Sequence, residues 1–130
     1  MNSSGGARFA RIVYLVAGIV GLLEIVPLYF SESTINRMQP PPITHPEFYY
    51  GFVGTALAWQ VAFLVILRDP LRLRPLMPVS WIEKVLYPCA VGLLYSAGRV
   101  RAETLYVAML DLVWLALFIA AWVRTRESHS

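Results

Sequence analysis

Apolar residues fall along this chain in four long blocks, and the polar residues collect between them. From Phe48 to Leu67 no residue is charged. At the helical rise that block covers about 30 Å, the thickness of a bilayer's hydrocarbon core. Blocks of similar character run from Ile12 to Phe30, from Trp81 to Ala97 and from Thr104 to Val123. The pattern therefore predicts an all-α fold: an integral membrane bundle of four transmembrane helices, up-and-down, at about 12–30, 48–67, 81–97 and 104–123. They make one domain over 1–130, with an outer loop at 31–47.

The punctuation between blocks adds detail. Residues Met1 to Gly6 are small and polar and are expected to lie outside the first helix. Arg8 and Arg11 precede its apolar run, but Glu24 and Pro27 interrupt the late part and no small-x-small cleavage site follows. The segment reads as a retained helix and not as a signal peptide. In the outer loop Pro40, Pro41 and Pro42 favour extended chain, with room for a short helical turn before them. On the second helix Gly51, Thr55, Ala58 and Ala62 recur on one face, which would let another backbone approach closely in lipid. Gln60 on the same helix is expected to hydrogen-bond a neighbouring helix or a ligand. Ser80-Trp81-Ile82-Glu83 has the form of a capping box opening the third helix, with Lys84 snorkelling to the same interface. Pro88 should kink that helix.

Composition supports a membrane setting. The chain is 58% hydrophobic and 15% charged, with a mean hydropathy of +0.58, whereas soluble domains are about a quarter charged. The net charge of +3 comes from arginines clustered between apolar blocks, a topology signal that argues against nucleic-acid binding. Both termini and the turn with Arg68, Arg72 and Arg74 share one side, and the positive-inside rule makes that side cytoplasmic. Cys89 is the single cysteine, so an intrachain disulfide and a multi-cysteine metal site are excluded, and no metal site is predicted.

That topology brings two acids to one depth. Glu24 lies about 9 Å before the outer end of the first helix and Asp111 about 11 Å beyond the outer start of the fourth. Carboxyls within a span require a partner and are functional candidates by default. Glu24 and Asp111 are the candidate catalytic residues, as a proton donor and acceptor. Gln60, Tyr95, His45 and Arg99 are candidate ligand-binding residues around them. The alternative is a structural clasp between helices, with Arg99 or Arg101 as counter-charge.

The layout resembles the DoxX-like group of small bacterial four-helix membrane proteins. The likeness is carried by the tyrosine-glycine start of the second helix (Tyr50-Gly51), the turn ending Arg74-Pro75-Leu76-Met77, and Glu83-Lys84 at the third helix. It implies a bacterial inner (plasma) membrane protein, and some members are linked to quinone-coupled sulfur oxidation or membrane redox complexes. It supplies no catalytic residues. More loosely, Glu24 and Asp111 are similar to the acidic ligand pocket of the EXPERA family, which includes sterol isomerases. The expected role is an accessory or hydrophobic-ligand-binding protein, its partners the lipid bilayer with a quinone, a lipid or another membrane subunit. The alternative is a membrane enzyme using Glu24 and Asp111 on an apolar substrate. The cofactor is left open.

Overall fold

The computed structural model describes residues 2–126, with side chains from Gly5 onward, and those residues are helical apart from turns and short connections. Helix α1 spans Asn2–Ile25 and tightens into a 3-10 turn, Val26–Phe30, where Pro27 removes a backbone donor. A short α2, Glu32–Met38, follows in the loop before the prolines, as the sequence allowed. Helix α3 spans Pro46–Arg68, α4 Met77–Ser96 and α5 Ala102–Arg126, with a 3-10 turn at Arg74–Leu76 leading into α4.

Neighbouring helices run antiparallel. Helix α1 packs on both α3 and α5, and α4 packs on α5. The small residues that permit close approach are on α1. A Cβ on Gly6 would collide with the Arg124 carbonyl of α5, and Cβ atoms on Gly18 and Gly21 would collide with Leu64 and Gln60 of α3. Between these crossings Ala10 and Ala17 are buried. This corrects the expectation for the second helix: Gly51, Thr55 and Ala58 of α3 are exposed and Ala62 is half-buried. The α3 face turned inward is Val53, Ala56, Gln60, Phe63 and Ile66. Small size lets helices meet only where the opposing surface is complementary, and here that surface belongs to α1.

The early start of α1 corrects the expectation of a non-helical Asn2 to Gly6. There Gly6 lies against the backbone of Arg124 at the end of α5, and Ala7 and Ala10 are buried.

The core is aromatic. Tyr14 of α1 stacks on Phe118 of α5 at 4.4 Å between ring centroids and meets Phe63 of α3 edge-on at 5.9 Å. Such pairs add about 0.5–1.5 kcal/mol beyond their buried area. The Ser80 hydroxyl donates to the Met77 carbonyl at 2.6 Å, which leaves the Tyr14 hydroxyl to donate to Ser80 Oγ at 2.8 Å. That bond joins α1 to α4.

It also corrects the capping box. Pro78 lies in the first turn of α4, a position that suits a residue with no N–H to offer, so the helix opens at Met77. Ser80 is already inside the helix, and Glu83 and Lys84 lie about two turns from its start. Pro88 is buried within α4, which continues helical through it.

At the end of the bundle that carries Arg124, Arg74 closes the turn onto α5. Its Nε donates to Thr125 Oγ1 at 3.1 Å, its Nη2 donates to the Trp122 carbonyl at 3.0 Å, and its guanidinium lies 3.5 Å from the Trp122 ring centroid. Burial, and then repulsion from Arg126, press the Arg74 guanidinium below its ordinary value. An arginine begins so far above neutrality that it stays charged. At the opposite end the Tyr49 hydroxyl donates to the Leu28 carbonyl and the Tyr50 hydroxyl to Glu32 Oε1, tying the loop to α3.

The outer surface is apolar: Leu23 is 71% exposed and Leu93 73%. Three segments, Gly5–Phe30, Pro46–Arg68 and Ala102–Arg126, are long and apolar enough to cross a membrane. In α4 the apolar run is interrupted by Glu83 and Lys84.

Candidate functional site

The interruption in α4 is where the bundle concentrates its charge. Lys84 is buried, with 8% of its side chain exposed. Its Nζ lies 3.7 Å from Glu83 Oε2 and 3.7 Å from Asp111 Oδ1 of α5. The Phe63 ring centroid of α3 is 5.2 Å from the same nitrogen. Glu24 of α1 is exposed, forms no ion pair among the described residues, and lies within electrostatic reach of both Lys84 and Asp111. Tyr87, three residues beyond Lys84, faces the field of Asp111 and stacks on Phe52 of α3 at 5.7 Å. All four long helices thus contribute to one layer.

The chemistry follows from isolation. A charge taken out of water is tolerated only when paired, and inside a bilayer the requirement is stricter. Lys84 meets it with two carboxylates and an aromatic face. Glu83 and Asp111 share that single ammonium, while Glu24 is exposed and makes no ion pair among the described residues.

Gln60 borders the same layer. It is 3% exposed. It lies one turn along α3 from Phe63 and packs against Gly21, one turn along α1 from Glu24. Its Nε2 donates to the Ala56 carbonyl of its own helix at 2.8 Å, where the sequence suggested a neighbouring helix. Its Oε1 is buried with no hydrogen-bond partner, whereas the buried Glu83 Oε2 faces the Lys84 ammonium at 3.7 Å. The Trp81 Nε1 is a buried unpaired donor, three residues before Lys84 and beside the Trp122 ring of α5.

The other residues singled out from sequence lie elsewhere. Tyr95 is exposed at the far end of α4, about 16 Å along the helix from Lys84. His45 is exposed ahead of α3, with its ring 5.3 Å from that of Phe48. Arg99 and Arg101 are exposed in the α4–α5 connection, and no ion pair links either to an acid among the described residues. The counter-charge of Asp111 is Lys84, not Arg99 or Arg101. Lys84 lies about two turns into its helix, buried against Asp111 and Phe63, and not in the opening turn where the sequence pattern placed it. Glu83, Lys84 and Tyr87 were missed as site residues, and the signal that would have found them is Pro78. As a first-turn proline it moves the start of α4 forward and places Glu83-Lys84 at depth.

Helices α3 and α4 approach one another less closely than the other neighbouring pairs. They meet through side chains, Phe52 against Tyr87 and Phe63 beside Lys84. Among the described residues no group of three or more His, Cys, Asp or Glu side chains is placed to hold a metal ion.

The fold and this layer define a class: a small helical protein of the membrane type, with an ion-paired polar layer inside an apolar bundle. Compared with known proteins, the chain matches no family model, no curated protein and no solved structure.

Proposed function

We propose that the protein is a small integral membrane protein that binds a hydrophobic molecule with a polar head, seated in the layer around Lys84 and Asp111. All four long helices cross the bilayer in this reading, α4 included, because pairing with Asp111 offsets the cost of carrying Lys84 through it. Both termini lie in the cytoplasm, with the arginine-rich end of the bundle. The membrane is then the bacterial inner membrane, in keeping with the resemblance to the DoxX-like group, whose links to quinone chemistry make a quinone or lipid a natural ligand.

One observation carries the reading: a buried lysine bonded to acids from its own and a neighbouring helix, behind the loosest seam of the bundle. A structural clasp alone needs one acid and one base. Here a second acid, Glu83, shares the lysine, and the Gln60 carbonyl oxygen, one turn along α3 from Phe63, is buried without a donor.

Two experiments test it. With Cys89 replaced, single cysteines at Arg72 and at Arg99, which flank α4, should label from opposite sides of the membrane; labelling from the same side would end the four-crossing topology. Separately, hydrophobic molecules that copurify from native membranes should be depleted in the Asp111→Asn protein relative to wild type. Identical amounts and identities in both would remove the ligand site.

A further inference from the structure

We infer that the arginine-rich end of the bundle carries a site for an anionic phospholipid, its phosphate held between Arg11 of α1 and Arg68 of α3. One acyl chain lies along the outer groove between those two helices. This rests on the reading of the chain as a membrane protein, and it names a ligand remote from the Lys84 layer.

The first observation is charge without a partner. Two arginines at this end are engaged within the protein: Arg74 on α5, and Arg124, whose guanidinium lies 4.4 Å from the Phe9 ring centroid. The other five, Arg8, Arg11, Arg68, Arg72 and Arg126, are exposed, and none forms an ion pair among the described residues. The acid in the turn, Asp69, accepts from the Arg72 backbone N–H at 3.3 Å and pairs with no guanidinium among the described residues. The counter-charge must come from outside the bundle.

Packing selects two of the five. Gly18 of α1 lies against Leu64 of α3, so close that a Cβ would collide with the leucine side chain. From that crossing Arg11 is two turns along α1 and Arg68 one turn along α3, towards the same end because the helices are antiparallel. Spacings of seven and four residues keep each arginine on the flank its helix brings to the crossing. Their depths then differ by only about 4 Å, within the reach of two arginine side chains. The level is that of a lipid headgroup: Arg11 immediately precedes the apolar run at Ile12, and Arg68 immediately follows the one ending at Leu67.

The chemistry suits a phosphodiester. Guanidinium forks match phosphate oxygens two N–H bonds at a time. Towards mid-bilayer from the pair, Leu15, one turn from Arg11, and Val61, two turns from Arg68, are 44% and 48% exposed. An acyl chain on that phosphate therefore meets apolar surface, which a free phosphate ion would leave unused. A zwitterionic lipid brings an ammonium that the two arginines repel.

The test uses the full chain in dodecyl maltoside micelles, with native mass spectrometry counting bound phosphatidylglycerol or phosphatidylcholine of the same acyl chains. Phosphatidylglycerol should bind at least about five-fold more tightly than phosphatidylcholine. Arg11→Gln and Arg68→Gln should each weaken it about five-fold, while Arg126→Gln, on α5, stays within about two-fold of wild type. Each variant removes one exposed charge and should keep the wild-type unfolding temperature. If Arg126→Gln weakens binding as much as the other two, the attraction is a diffuse field and the site is overturned. It is overturned equally if the two lipids bind alike, or if Arg11→Gln and Arg68→Gln bind as wild type does. Glycerol phosphate competing at the lipid's own concentration would overturn the lipid as ligand. All these outcomes leave the membrane reading standing. That reading falls, and the lipid site with it, if the chain stays soluble and monodisperse once detergent is removed.

Discussion

The Nζ of Lys84 lies 3.7 Å from Asp111 Oδ1, a charge pair between α4 and α5 within an apolar bundle. Removing one member of a buried pair leaves the other uncompensated, which costs about 3–5 kcal/mol. Glu83 still faces Lys84 when Asp111 is lost, so Asp111→Asn should destabilise by about 3 kcal/mol, the low end of that range. Lys84→Met should cost at least as much, because it strands the acids. The double variant Lys84→Met/Asp111→Leu should recover most of the loss. A double-mutant cycle on unfolding free energies in detergent checks this, and strict additivity would show that the pair is not coupled.

The glycines of α1 and of the exposed α3 and α4 faces should respond with opposite signs. A Cβ on Gly6 would meet backbone atoms of Arg124, which cannot swing aside. Gly6→Ala should therefore destabilise by about 1–3 kcal/mol through overpacking. At Gly51 and Gly92 nothing lies within 4 Å of the place a methyl group would take, so alanine there should be neutral or stabilising by about 0.5–1 kcal/mol. Thermal unfolding of the three single variants checks the order.

The Tyr14–Ser80 bond predicts an asymmetry. Tyr14→Phe leaves Ser80 still donating to the Met77 carbonyl, and should cost about 1 kcal/mol. Ser80→Ala leaves the buried Tyr14 hydroxyl without an acceptor, and should cost about 1–3 kcal/mol. Equal losses in the two variants would indicate a different partner for the tyrosine.

Arg74→Lys should loosen the turn without unfolding the bundle. Lysine keeps the charge but cannot reproduce the guanidinium's two bonds to α5 while lying on the Trp122 ring. Hydrogen exchange should rise in the segment 69–76 and stay unchanged at the core around Phe118. An unchanged turn would mean that the arginine's fork contributes nothing there.

How much of this was legible can be judged at particular residues. The depth match of Glu24 and Asp111 is an expectation from helix rise and the alternation of crossings, and the ion pair that the structure shows for Asp111 is with Lys84. The short helix before the prolines is legible. Lys84 is misplaced by sequence alone because a local pattern, Ser80 to Glu83, imitates a helix start. Its partner Asp111 is far along the chain, and no local rule links them.

The chain's linear pattern by itself determined that the protein is helical, that long blocks of it suit a bilayer, and where the arginines gather. These properties depend on composition and on spacing along one strand of backbone. Only the tertiary structure decided which helix faces turn inward. In water an amphipathic stripe marks the buried side, but here the outer faces are apolar too, and the periodicity that would betray the core is blurred. Close fit took its place. Gly6, Gly18 and Gly21 let α1 lie against its neighbours, and that packing carries Glu24 and Gln60 to the layer that Lys84 and Asp111 share.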